Sequence, residues 1–334
     1  MRTSPTGSQE TTVTTTRHTS AIEEAAVFQD LADRARERCW PDKARRFATR
    51  ALAIMEREHG PNHPDVARAL LCRAGAREEG ADHSRAESDY RRATDILDRC
   101  SHDAGNLDVQ LLRIRAASGL ANVMCALGRY REAEVMLKDA LTVAEETFGW
   151  KHGEAANVLN DMASLYREVG GFEKAFRLDR RALAIAQTTL GPDHPTVAAI
   201  LQNLGILEQR RDRLASAESF ARQSLAIREK TIGQDHPRVA SSVAVLAGIL
   251  QARGKLDEAA SLYGRALTIF EHWFGPEHHE VATTLTKLNE IFRACGRDAR
   301  RAEPPVLVIP EVAPFPAGTP GAFGLVQPGA LSHH

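Results

Sequence analysis

The chain has 334 residues, 26% of them charged, 43% hydrophobic and 5% aromatic, and its 43 Lys and Arg stand against 44 Asp and Glu for a formal net charge of -1. That balance lacks the basic excess of a general nucleic-acid binder, and the length is ample for a sizeable core.

Residues 1–20 are rich in Thr and Ser and lack the apolar run of a secretion signal, so a disordered N-terminal segment is expected there. From residue 21 a period sets in. Gly191-Pro-Asp-His-Pro195, Gly233-Gln-Asp-His-Pro237 and Gly275-Pro-Glu-His-His279 recur every 42 residues, with weaker copies at Gly149-Trp-Lys-His-Gly153 and Gly60-Pro-Asn-His-Pro64. An insertion of about five residues, near Ser101 to Leu107, keeps the first copy in register. Each period reads as a helical hairpin. First helices are expected at 22–38, 65–79, 110–127, 154–169, 196–211, 238–253 and 280–295, and second helices at 43–58, 85–99, 131–147, 173–189, 215–231 and 257–273. Gly128, Gly170, Gly254 and Gly296 stop first helices, while Gly60, Gly149, Gly191, Gly233 and Gly275 stop second ones. Pro64, Pro195 and Pro237 open the helices that follow.

Small residues recur in columns: Ala44, Ala86, Ala133, Ala175, Ala217 and Ala259; Ala51, Ala93, Ala140, Ala182, Ser224 and Ala266; Ala32, Ala74, Ala121, Ala163, Gly205, Ala247 and Asn289. A small side chain held at one register position marks a place where two helix backbones lie close together. Leu159, Met162-Ala163, Tyr166, Gly170-Gly-Phe172, Ala175 and Ala182-Leu183, matched by Val243, Leu246-Ala247, Leu250, Gly254-Lys-Leu256, Ala259, Tyr263 and Ala266-Leu267, resemble the tetratricopeptide repeat, and the 42-residue period resembles its kinesin-light-chain-like subtype. The resemblance covers residues 22 to 296 and implies an all-α fold, a right-handed superhelical solenoid of six helix-turn-helix hairpins with a capping helix, spanning 21–296. It weakens early in the chain, where Arg73 replaces an apolar residue, His83 stands in an aromatic column and Pro41 follows Trp40. Residues 297–334 are rich in Pro and Gly without period and are expected to form a disordered tail, its apolar stretch Val306 to Ile309 able to dock in the protein's own groove.

No pattern for catalysis emerges. The histidines His63, His152, His194, His236 and His278 lie one or more repeats apart, about 8 to 10 Å or more in a helical stack, too far to share a metal, and read as turn residues beside helix starts. His278-His279 lacks a third ligand, and Gly254-Lys255 lacks the glycine spacing and Ser/Thr of a phosphate loop. Glu168 and Glu208 sit on charge-rich helices and read as solvated. Five scattered cysteines without CxxC spacing indicate a reducing, cytoplasmic setting. The longest nearly apolar run, 239–252, is too short to span a bilayer.

What remains is surface. In the family the sequence resembles, first helices line the concave side, so their residues not used in packing form the candidate site: Arg115, Ser118, Asn122, Asn157, Asn160, Ser164, Arg167, Gln202, Asn203, Gln209 and Arg210, then Ser241 and Gln251. Amides can bond the backbone of an extended peptide whatever its sequence, and Arg115, Arg167 and Arg210 can hold carboxylates. The expectation is a non-catalytic, cofactor-free scaffold for a protein or peptide partner, with a peptide-sensing regulatory subunit as the alternative. Neither nucleic acid nor membrane is expected as a partner.

Overall fold

The computed structural model describes residues 7–100 and 106–294, with side chains from residue 20 onward. Thirteen helices occupy the described residues: α1 (Gly7–Glu37), α2 (Pro41–His59), α3 (Pro64–Glu79), α4 (His83–Arg99), α5 (Leu107–Ala126), α6 (Tyr130–Phe148), α7 (Gly153–Glu168), α8 (Phe172–Thr189), α9 (Pro195–Arg210), α10 (Leu214–Ile232), α11 (Pro237–Ala252), α12 (Leu256–Phe274) and α13 (His279–Ala294). They form six antiparallel hairpins and a last single helix, an all-α superhelical solenoid. Most limits fall within a residue or two of those read from sequence. The exceptions are α1, which begins at Gly7 rather than near 22, and α5, which begins at Leu107 rather than 110. The inserted residues thus lengthen α5 by about a turn, and Asn106 caps it by accepting from the Asp108 and Val109 N–H groups. The tail, Cys295 and Gly296 lie outside the described residues.

The turns repeat in atomic detail. Each first helix ends with the residue in the left-handed region: Cys39, Ala81, Gly128, Gly170, Asp212 and Gly254. The next N–H reaches back five residues to a helix carbonyl, as in Gly171 to Tyr166 (2.7 Å), Arg213 to Glu208 (2.8 Å) and Asp82 to Arg77 (2.8 Å). Three of the six carry a side chain where glycine is free of strain. Ala81→Gly is expected to stabilise the fold by about 1 kcal/mol, measured by urea melts; a destabilisation would show that the turn does not constrain this residue.

The small-residue columns are the seams of the stack. Ala44, Ala86, Ala133, Ala175, Ala217 and Ala259 are fully buried. Gly205 abuts the Ala217 carbonyl, which an added Cβ would meet at 3.3 Å. Ser224 keeps its place by donating its hydroxyl to the Ala198 carbonyl at 2.7 Å. The early departures are compensated too. Arg73 and Arg77 both clasp the buried Asp89 at 2.6 Å, and Pro41 opens α2 at its first position. Backbones of the first helices of successive hairpins come close together from α1 through α11, whereas second helices reach one another through long side chains, as in the Arg92–Glu56 and Arg265–Glu229 ion pairs, so the first helices form the inner, concave layer.

The solenoid meets itself. The turn between α1 and α2 lies against the fifth and sixth hairpins, with His236 Nε2 2.8 Å from the Glu37 carbonyl and the Trp40 and Trp273 rings 6.4 Å apart.

Candidate functional site

The recurrent histidines are helix caps. In His63, His152, His194, His236 and His278 the Nδ1 atom accepts the N–H two residues on, at 3.2, 3.3, 3.1, 3.1 and 3.3 Å. A cap that accepts through Nδ1 requires the neutral ring. At His236 the tautomer is fixed from both sides, because Nε2–H faces the Glu37 carbonyl. Burial pulls His236 below the usual histidine value, and burial with the neighbouring His279 does the same for His278. Both contributions to stability are therefore present above the unfolded histidine value of about 6.5 and are lost as pH falls below it. The double variant His236→Asn/His278→Asn keeps a cap without a titrating ring, and its stability should fall less than wild type between pH 7 and pH 5 in thermal melts. Equal losses would contradict a titrating cap.

His59, His63 and Asp65 form the one grouping among the described residues with ligand atoms close enough to hold a metal. Their arrangement serves the cap instead: the two rings stack 4.3 Å apart and nearly parallel, and His63 Nδ1 is committed to the Asp65 N–H.

On the inner layer Ser118 and Asn122 of α5, Asn160 of α7 and Asn203 of α9 come together in one polar strip. At its centre is Asp161, which sequence reasoning missed. Burial, then the charge of Glu78, push its carboxyl up to about 7, while Asn122, Asn160 and Ser118 beside it pull the other way. Asn160 Oδ1 also accepts from Asn203 Nδ2 at 3.0 Å, linking α7 to α9. Toward the edges, Arg115 pairs with Glu154 (3.0 Å), Asn157 lies 3.5 Å from Glu154, and Arg167 donates to Ser164 at 3.3 Å while its buried Nη1 has no partner. Gln209 donates to the Gly248 carbonyl at 3.2 Å, and Gln202 Oε1 accepts from Arg228 at 2.7 Å. Arg210, at the end of α9, is exposed. Ser241 donates back to the Pro237 carbonyl of its own helix, and Gln251 is half-buried near the end of α11. Ser118, Asn122, Asn160 and Asn203 are thus brought together, whereas Gln202 reaches α10, Gln209 reaches α11 and Arg210 stands at the end of α9. Glu208, expected in solvent, is buried and paired with Arg211 at 2.6 Å, because the turn after α9 folds that arginine back over it. Glu168 is exposed as expected.

Among the described residues no helix is long and apolar enough to cross a membrane. The sequence profile of the tetratricopeptide repeat matches residues 25–99, 112–188, 154–230 and 238–300. Among solved structures, the chain is similar to BtubC (BKLC) from P. vanneervenii, at 22% identity over 78% of this chain and 93% of that one, with a TM-score of 0.53. It is also similar to the apo form of RapI, at 12% identity over 82% and 99%, with a TM-score of 0.51. Nearly identical TPR-like repeats assigned to a kinesin light chain of Podosopora anserina align at 24% identity over 63% and 97%, with a TM-score of 0.47. At these identities the likeness concerns the fold. No curated protein matches the chain.

Proposed function

This chain belongs to the tetratricopeptide-repeat family, and from that premise we propose that it is a non-catalytic scaffold that holds an extended peptide segment of a partner protein along the concave face of α5, α7 and α9. Proteins built on this repeat generally mediate protein–protein interactions. The observation that carries the reading is the continuous strip of amides and carboxylate, Asn122, Asp161, Asn160 and Asn203, running across three hairpins. Equivalent positions in neighbouring hairpins lie about 10 Å apart, roughly three residues of extended chain. The Asn160–Asn203 bond costs little to exchange, since a peptide group offers one N–H and one C=O in return.

The test is selection of binders from a displayed peptide library, followed by calorimetric titration of the best peptide against wild type and Asn160→Ala/Asn203→Ala. The double variant should lose about 0.5 to 1.5 kcal/mol per missing hydrogen bond. Wild-type affinity would move the site off the concave face. A second reading, a peptide-sensing regulatory subunit, is favoured by the contact of Trp40 with Trp273, which any change of superhelical curvature would open or tighten. A change in tryptophan emission on adding the peptide, absent in Trp40→Phe, would support it.

A further inference from the structure

Arg228 is out of pattern. At its register position the other second helices carry Met55, Leu97, Ala144, Ala186 and Phe270, all buried. An arginine at a core position is expensive to desolvate and is ordinarily matched by a carboxylate. None matches this one: its Nη1 lies within hydrogen-bond distance of Gln202 Oε1 (2.7 Å), Ser242 Oγ (2.7 Å) and the Arg238 carbonyl (2.9 Å), all neutral acceptors. Burial, with the positive charge of Arg238 beside it, pulls Arg228 down to about 10, so the group is held where its own charge is disfavoured.

The surroundings add to that imbalance. Arg228 lines a cavity of about 870 Å³ together with Glu37, Arg38, Gln202, His236 and Arg238, at the place where the first hairpin meets the fifth and sixth. Nearby arginines outside the cavity are neutralised, Arg36 by Glu79 at 3.0 Å and Arg265 by Glu229 at 2.7 Å. Arg38, Arg228 and Arg238 have no such partner among the described residues. Three guanidinium groups around one cavity outnumber its one carboxylate, Glu37, and suit a dianion with several acceptor oxygens.

We propose that this cavity is a binding site for a phosphoryl group, held by Arg228 of the fifth hairpin, Arg238 of the sixth and Arg38 of the first, so that occupancy ties the start of the solenoid to its later hairpins. The cavity is several times the size of a phosphate ion, which suits a phosphoryl group carried on a larger molecule. The cavity shares Gln202 and Ser241 with the candidate peptide set but none of Asn122, Asp161, Asn160 or Asn203, and its test uses no partner protein.

The full chain is titrated with inorganic phosphate and with pyrophosphate, read by thermal melt and calorimetry, against sodium chloride and sodium acetate at equal ionic strength. Expected is a saturable rise in melting temperature with phosphate or pyrophosphate that neither control reproduces. Arg238→Gln should weaken binding about tenfold or more, and Arg38→Gln should weaken it too. Arg228→Met restores the residue type of the other repeats; it should melt no lower than wild type without phosphate and lose the response to it. A response matched by chloride or acetate, or one retained in Arg228→Met, overturns the assignment. A phosphoserine peptide compared with its unphosphorylated form separates the sources: tighter binding than free phosphate indicates a peptide carrier, and equal binding a free ion, either supporting the site.

Discussion

Asp179→Leu is expected to stabilise the protein by on the order of 3 kcal/mol at pH 8, and by much less at pH 4.5. Asp179 lies on α8 at the register position of Ala48, Tyr90, Leu137, Ala221 and Tyr263, is fully buried, and has no hydrogen-bond partner on either oxygen. Burial pushes its carboxyl up to about 8, partly opposed by the charge of Arg167. In the unfolded chain the group titrates near the ordinary value of about 3.9. Between these values the native state holds a proton that the unfolded state has released, so stability falls as pH rises from about 4 to about 8 and is lowest above that. Leucine, already accepted at the equivalent Leu137, removes both the titration and the unmet oxygens. Urea melts at the two pH values decide it. An equal gain at both would mean that Asp179 is not held protonated by the fold.

Gly119→Ala is expected to cost about 2 to 3 kcal/mol, an unusually large loss for one methyl group. A Cβ there would lie 2.3 Å from Cε1 and Cζ of Tyr90, and that ring cannot retreat because it is buried and its hydroxyl donates to Glu78 Oε2 at 2.9 Å. Gly119 occupies the register position of Asp161 and Asn203, so in this hairpin the groove floor gives up its side chain to make room for the tyrosine behind it. Tyr90→Leu in the Gly119→Ala background should recover more than half of the loss. If the alanine costs the same whether residue 90 is tyrosine or leucine, the close approach of ring and backbone is not the cause.

The fold was legible because a repeat states each structural requirement several times. A small residue at six equivalent positions identifies a helix contact that a single alanine could not, and glycines at fixed offsets mark the turns. Outliers within the columns were less visible. Arg228 among Met55, Leu97, Ala144, Ala186 and Phe270, and Asp179 beside Leu137 and Ala221, can be found only by searching a column for its exception after its rule is known. Asp161 was missed because its importance comes from neighbours on α3 and α5 that no local pattern connects to it. Asn160 and Asn203 can be assigned to α7 and α9 from the period, but a sequence cannot show that they bond each other. The length of α1 was obscured by its Thr- and Ser-rich start, which reads against a helix.

A stack of repeats ordinarily behaves as a one-dimensional chain, its stability a sum over neighbours and its ends free to fray independently. The bond between Glu37 and His236, with Trp40 set against Trp273, adds a term linking positions 199 residues apart. Such a term makes unfolding more cooperative, because the first hairpin cannot open without withdrawing support from the fifth and sixth, and it raises the contact order that slows folding. Trp40→Ala should therefore accelerate amide exchange not only in α1 and α2 but also at the start of α11, far along the chain. In a nearest-neighbour stack, the effect would stop at α3.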